Sequence, residues 1–139
     1  MRYRTQGHGY IIQLAIGEEI GSTLIEFAAG EKTEAAHFWG IGAAREIVLG
    51  SYDIERKIYN KKTLKGVWEI ASLTGSLAQT DGGPILHIHG VFSDEDCRTS
   101  GGHVFNLVCA ATVEIFLVPL PAGLTRRHDE HTGLKLLDL

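Results

Sequence analysis

One stretch of this chain, Glu18 to Ala29, repeats its apolar residues at helical spacing, with Ile20, Leu24, Phe27 and Ala28 on one side. Elsewhere apolar residues alternate with polar ones, or cluster in short runs bounded by glycine, proline and charged turns, which is the habit of strands. One helix among many closely connected strands can bury its apolar stripe only against sheet. The expected fold is therefore α+β: a mostly antiparallel, barrel-like β-sheet packed with one main helix. With 139 residues, the chain is long enough for one sizeable core, and it reads as a single domain over 1–139.

The first strand spans Gly9 to Ile16, with Tyr10, Ile12, Leu14 and Ile16 facing one way, and Gly17 ends it. Glu18 and Glu19 then open the helix, where its dipole favours acids, and Gly30 is placed to cap its end. Two strands follow, about Glu34–Ile41 and Ala43–Tyr52, with Gly40 and Gly42 marking the break between them. Asp53 to Lys65 carries Arg56, Lys57, Lys61, Lys62 and Lys65; it reads as a solvated hairpin turning near Asn60, with a nucleic-acid patch as the other reading.

Val67 to Ala78 is a strand with a bulge expected at Gly75. Asp81-Gly82-Gly83-Pro84 is a turn. Val104 to Leu120 is the most apolar part, with Val113, Ile115 and Leu117 on one side and Thr112, Glu114 and Phe116 on the other, stopped by Pro119 and Pro121. Arg126 to Gly133 is polar and reads as a loop, its His128 and His131 solvated, before a short apolar end from Leu134 to Leu139.

The chemistry concentrates at Leu86-His87-Ile88-His89 and Gly101-Gly102-His103. In a strand, His87 and His89 point the same way, about 6.6 Å apart at their backbones, close enough to converge on one cation. His103 can supply a third nitrogen, since two preceding glycines let the backbone turn tightly or approach closely. Three neutral imidazoles with a fourth position open are an arrangement found in catalytic zinc sites. A single strand histidine is more often a surface or hydrogen-bonded group, but the His-x-His pair followed by Gly-Gly-His is rarer. Glu114 stands out as a carboxylate in an apolar strand, which needs a partner, be it a structural hydrogen bond or a role near the site.

A formal charge of −4 provides no basic field to draw the protein onto nucleic acid. Two cysteines make no disulfide framework; Cys109 is expected to pack as a small hydrophobe, while Cys97 lies in a polar loop. No apolar run approaches the length of a membrane span, so a cytoplasmic protein is expected.

Taken together, Gly75-Ser76-Leu77-Ala78, Asp81-Gly82, Leu86-His87-Ile88-His89, Gly101-Gly102-His103 and Glu114 resemble the signature of the PPC (plants and prokaryotes conserved) domain. Weaker likenesses at Leu14–Ile20, Ile41–Ala44, Gly50–Asp53 and Asp129–Leu137 extend it over nearly the whole chain. The resemblance implies a large antiparallel sheet, assembly as a homotrimer, and a metal, usually zinc although another divalent ion would also serve, held by the residues matching His87, His89 and His103. Plant members carry AT-hook motifs that bind A·T-rich DNA, and prokaryotic members are often labelled DNA-binding by that kinship. This chain has no Arg-Gly-Arg-Pro, so the element for minor-groove recognition is missing.

The family's fold is also similar to that of acetolactate decarboxylase, which holds zinc through a comparable histidine set. That likeness supports a second expectation, a small zinc-dependent lyase or hydrolase acting on a carbonyl or carboxylate metabolite. Its candidate helpers would be Glu114 as proton acceptor and Arg45 or Arg98 as carboxylate anchor.

Overall fold

The computed structural model describes residues 1–139 as nine strands and one helix. In chain order they are β1 (Arg2–Gln6), β2 (Gly9–Leu14), α1 (Ile20–Gly30), β3 (Ala36–Asp53), β4 (Ile58–Leu64), β5 (Trp68–Thr80), β6 (Gly83–Ser93), β7 (Thr99–Pro119), β8 (Thr125–Asp129) and β9 (Leu134–Asp138). The strands form one sheet in the order β1-β2-β7-β3-β5-β8-β9, with β4 on β3 and β6 joined to both β5 and β7. Pairing is antiparallel except for one bridge, Gln79 to Thr125, between β5 and β8. Because β3 pairs with β5 and β7 while β6 also pairs with both, these four strands close into a partial ring.

Alternation decides what fills the ring. Val113, Ile115 and Leu117 of β7 are buried, as are Ile88 and Phe92 of β6, Leu73 and Leu77 of β5, and Phe38 of β3. The residues between them, including His87 and His89, face outward. Helix α1 packs the expected stripe, Ile20, Leu24, Phe27 and Ala28, into the core, and buries Thr23 beside it. Glu19 starts it as N-cap, its carboxylate accepting the Gly21 and Ser22 amides at 2.7 Å each. Its end differs from expectation: Gly30 is the last helical residue, and the left-handed position falls on Lys32 at φ 54°.

Other differences are local. The glycines at 40 and 42 do not break a strand; β3 runs through them, and its register against β5 shifts there as a bulge. The β3–β4 turn lies at 54–57 and not near Asn60, which sits in β4 opposite Ser51. Asp53 sets that turn by accepting the Glu55 and Arg56 amides, and Lys57 adopts φ 52°. Pro84 belongs to β6 and not to the preceding turn. β5 does bulge, but between Ile70 and Ser72. At Gly75 the register is even, and the glycine serves close packing.

The largest difference is the tail. The stretch read as a loop forms the hairpin β8–β9. Asp129 nucleates its turn, accepting the Thr132 amide at 2.7 Å and the Thr132 hydroxyl at 2.6 Å, while Gly133 takes φ 75°. The hairpin is tied to the β3–β4 hairpin by Tyr52 donating to the Thr132 carbonyl and Lys57 donating to that of Glu130.

A Cβ at Gly75 would overlap the Phe38 ring and stand 2.7 Å from the His87 carbonyl oxygen. Gly75→Ala is therefore expected to lower stability by about 1–3 kcal/mol, seen as a reduced urea midpoint. Gly30→Ala, where a Cβ meets nothing, should leave the midpoint unchanged or raise it. Equal midpoints for wild type and Gly75→Ala would refute the close approach.

Candidate metal centre

β6 carries His87 and His89 on its outward side, two residues apart as the pleat requires. The third imidazole comes from β7, whose His103 is the direct cross-strand partner of His89. β7 reaches this position because Gly102 has no side chain: a Cβ there would lie 2.8 Å from the Gly50 carbonyl oxygen of β3. The three rings have centroids 5.0, 5.3 and 5.5 Å apart, and one nitrogen from each lies within 4.8 Å of the others.

His87 and His103 are half-buried and His89 is exposed. Burial, with smaller contributions from His87, His89 and Lys61, pulls His103 from the ordinary 6.5 down to about 4. His87 is also lowered, chiefly by burial and then by the Arg126 guanidinium and His89. Both imidazoles are therefore neutral at neutral pH, the form in which histidine ligates a cation. His103 Nδ1 is buried without a hydrogen-bond partner. Neutral imidazoles and one orphaned nitrogen form a donor set that suits a borderline metal such as zinc.

Around the cluster, Tyr59 and Phe105 have ring centroids 5.1 and 4.7 Å from that of His103, and the Lys61 ammonium stands 3.8 Å above the Phe105 ring. A cavity of about 260 Å³ opens beside the histidines, lined by His87, His103, Tyr59, Arg126, Leu134 and Leu136 among others. The β8–β9 hairpin forms one of its walls.

The sequence reading put three other residues near this chemistry, and the fold puts them elsewhere. Glu114 lies further along β7, opposite Gln13 and Ile41, in a separate cavity with Arg2, Arg4 and Ile11. Arg45 lies 3.8 Å from the Glu46 carboxylate, and Arg98 is bonded to Asp96 in the exposed β6–β7 turn. None of the three lines the cavity beside the histidines. His128 and His131 are exposed, as expected.

The cation at the cavity is Arg126, which sequence reasoning missed because it sits in a run read as solvated loop. The available signal was the alternation of Leu134-Lys135-Leu136 after Asp129-x-x-Thr132-Gly133, which marks a hairpin.

A β-rich partial ring with one packed helix and an outward cluster of three histidines defines the class: a small sheet domain with a candidate mononuclear metal centre. The family model described as Plants and Prokaryotes Conserved (PCC) domain matches residues 1–121, and the chain belongs to that family. Among solved structures it is similar to a metal-containing protein of Archaeoglobus fulgidus, 34% identical over 100% of this chain and 99% of that one, with a TM-score of 0.88. It is similar to a presumed DNA-binding protein of Ralstonia eutropha, 33% identical over 99% and 95%, with a TM-score of 0.91. A plant- and prokaryote-conserved (PPC) protein of Pyrococcus horikoshii is 29% identical over 99% and 95%, with a TM-score of 0.88. No curated protein matches. No helix is long and apolar enough to cross a membrane.

In the metal-free chain the lowered His103 value means that the folded state binds fewer protons than the unfolded state between about pH 4 and 6.5. Stability should therefore be highest above that window and fall as pH drops through it. His103→Asn should fall less between pH 7 and 4.5 than wild type in paired urea titrations. Identical slopes would remove His103 as a source of the dependence.

Proposed function

We propose that this PCC-domain protein binds a divalent metal, zinc, through His87, His89 and His103, and that the centre is reactive, with its remaining coordination turned to the adjacent cavity. The observation that carries this reading is the convergence of three histidine nitrogens within 4.8 Å beside a cavity of about 260 Å³, with no thiolate or carboxylate in the cluster. A structural zinc site would be closed by four protein ligands, commonly including thiolates, whereas three-ligand sites keep a place for water or substrate. The metal-containing relative from Archaeoglobus fulgidus supports the metal-binding part of this reading.

We further propose a homotrimer. Its support is the family resemblance together with an apolar patch on the outer sheet face, where Trp39 and Ile41 are 46% and 53% exposed and Phe116 stacks on Trp39 at 5.8 Å. Copies of the chain are the occupants proposed for this face. The exposed free thiol of Cys97 suits a reducing, cytoplasmic setting.

Elemental analysis beside light scattering tests both statements. The native protein should carry about one zinc per chain, the stoichiometry of a three-histidine site, in a particle of three times the chain mass of 15.2 kDa. The double variant His87→Ala, His89→Ala should stay folded and lose the metal. Stoichiometric metal in that variant would remove the site assignment, and a monomeric mass would remove the trimer.

The cavity and its cation favour, as a second reading, an enzyme of the lyase or hydrolase class acting on a small carbonyl or carboxylate compound. Bound zinc supplies Lewis acidity toward such a group. His87, His89 and His103 would hold it, Tyr59 and Phe105 screen His103 from bulk water, and Arg126 orients the substrate.

DNA binding is the weakest of the readings, although relatives carry that description. The chain's net charge is −4, and its basic hairpin residues are spread over an exposed surface, with Lys57 committed to the Glu130 carbonyl. Few phosphates can be neutralised by such a surface. Fluorescence anisotropy with an A·T-rich duplex at physiological salt should show no binding below micromolar concentration; tight, salt-sensitive binding would overturn this expectation.

A further inference from the structure

Arg126 occupies an unusual position for a guanidinium. It reaches from β8 across the cavity, where Nη1 donates to the Lys135 carbonyl at 3.0 Å and Nη2 lies 3.4 Å from Ser76 Oγ and 3.2 Å from His87 Nδ1. Its Nε is buried without a partner, the only such side-chain atom besides His103 Nδ1. The ion pairs of the chain use the Met1 amino group, Arg45, Arg98 and Arg127; Arg126 is in none of them. A partly buried cation with no carboxylate and an unused donor is a site short of an anion.

The contact with His87 sharpens this. A guanidinium has no lone pair, so it meets His87 Nδ1 only as a donor, and that nitrogen must then be the acceptor. If His87 ligates a cation through Nδ1, that lone pair is taken. If it ligates through Nε2, neutral Nδ1 carries the proton and accepts nothing. In either case Arg126 Nη2 loses its shorter contact when the histidine becomes a ligand and keeps only the Ser76 hydroxyl at 3.4 Å, while Nε already has no partner. The three imidazoles bring no negative charge, so the metal ion adds positive charge beside Arg126 and the Lys61 ammonium.

We infer that Arg126 anchors a small carboxylate ligand, held between its guanidinium and the cation of the three-histidine centre. The inference rests on the metal-centre reading above. The planar fork of arginine matches the two oxygens of a carboxylate, and Ser76 Oγ is within reach as a further donor. The other cavity walls, Ile85, Leu86, Leu134 and Leu136, are aliphatic and suit a short hydrocarbon chain better than a free inorganic anion. A volume of about 260 Å³ is below the roughly 300–1,000 Å³ of drug-sized pockets, which limits the ligand to a few carbons.

The test uses the full chain, with butyrate and inorganic phosphate as probes in calorimetric titrations at fixed ionic strength. Zinc content is measured first. Zinc-loaded wild type should bind butyrate more tightly than the metal-free protein, and butyrate should tighten zinc binding by the same factor. Arg126→Gln should keep its zinc and bind butyrate roughly thirtyfold more weakly, the lower end for losing one partner of a desolvated charge pair. Arg126→Lys, which keeps the charge and loses the fork, should recover part of that loss, and it carries the test if the glutamine variant fails to fold.

Wild type that takes up no zinc overturns the metal-centre reading, and this inference falls with it. Zinc uptake with no butyrate binding, or with equal binding by Arg126→Gln, overturns the role of Arg126 alone and leaves the centre standing. Phosphate binding tighter than butyrate would overturn the carboxylate assignment.

Discussion

The antiparallel pairing of β6 with β7 is the interaction on which the rest depends. Without it, β3, β5 and β7 would form an open sheet with β6 as a free edge, and Ile88, Phe92 and Val104 would lose their shared interior. The same pairing sets His89 opposite His103, so ring closure and assembly of the histidine cluster are one event. The pleat then separates two environments along each strand: an apolar inside, and an outside where imidazoles and a guanidinium gather.

That outer surface has an uncommon electrostatic character. Neutral imidazoles, a guanidinium without a carboxylate and an ammonium over an aromatic ring surround the cavity. Burial favours the neutral form of His103 and keeps one ring nitrogen's lone pair available. It cannot neutralise an arginine under ordinary conditions, so the positive charge of Arg126 stays. One site thus joins donors that attract a cation to a cation that attracts an anion, a combination suited to a ligand bridging the two.

Much of this was legible in the residues. Alternation and short apolar runs gave β2, β3, β5, β6 and the inside–outside order of β7, but not β1, β8 or β9. Helical spacing gave α1, and the His-x-His pair with its Gly-Gly-His echo named the three clustered rings. What escaped was set by contacts distant in sequence. Gly75 looks like a bulge locally, and only the Phe38 ring from another strand shows why it must be glycine. Glu114 shares β7 with His103, yet the length of that strand carries it away, and Arg45 lies on β3, which lends no side chain to the cavity. Arg126 was hidden because a polar hairpin laid over a sheet has the composition of a loop; its pairing and its Asp129 turn give it a fixed place.

The β8–β9 hairpin lies beyond residue 121, past the stretch matched by the family model. A single ladder bridge to β5 joins it to the ring, and side chains of Tyr52, Lys57 and Arg126 supply further ties. The fold therefore divides its labour between two pieces of chain. The ring supplies the histidines and cannot change much without losing its core, while the appended hairpin supplies the guanidinium and aliphatic walls that any ligand must meet. A hairpin held mainly by a few side-chain contacts can change in length, and in the residues that make none of them, without disturbing the ring. Diversification in such a design would run through the cover, with the centre held constant beneath it.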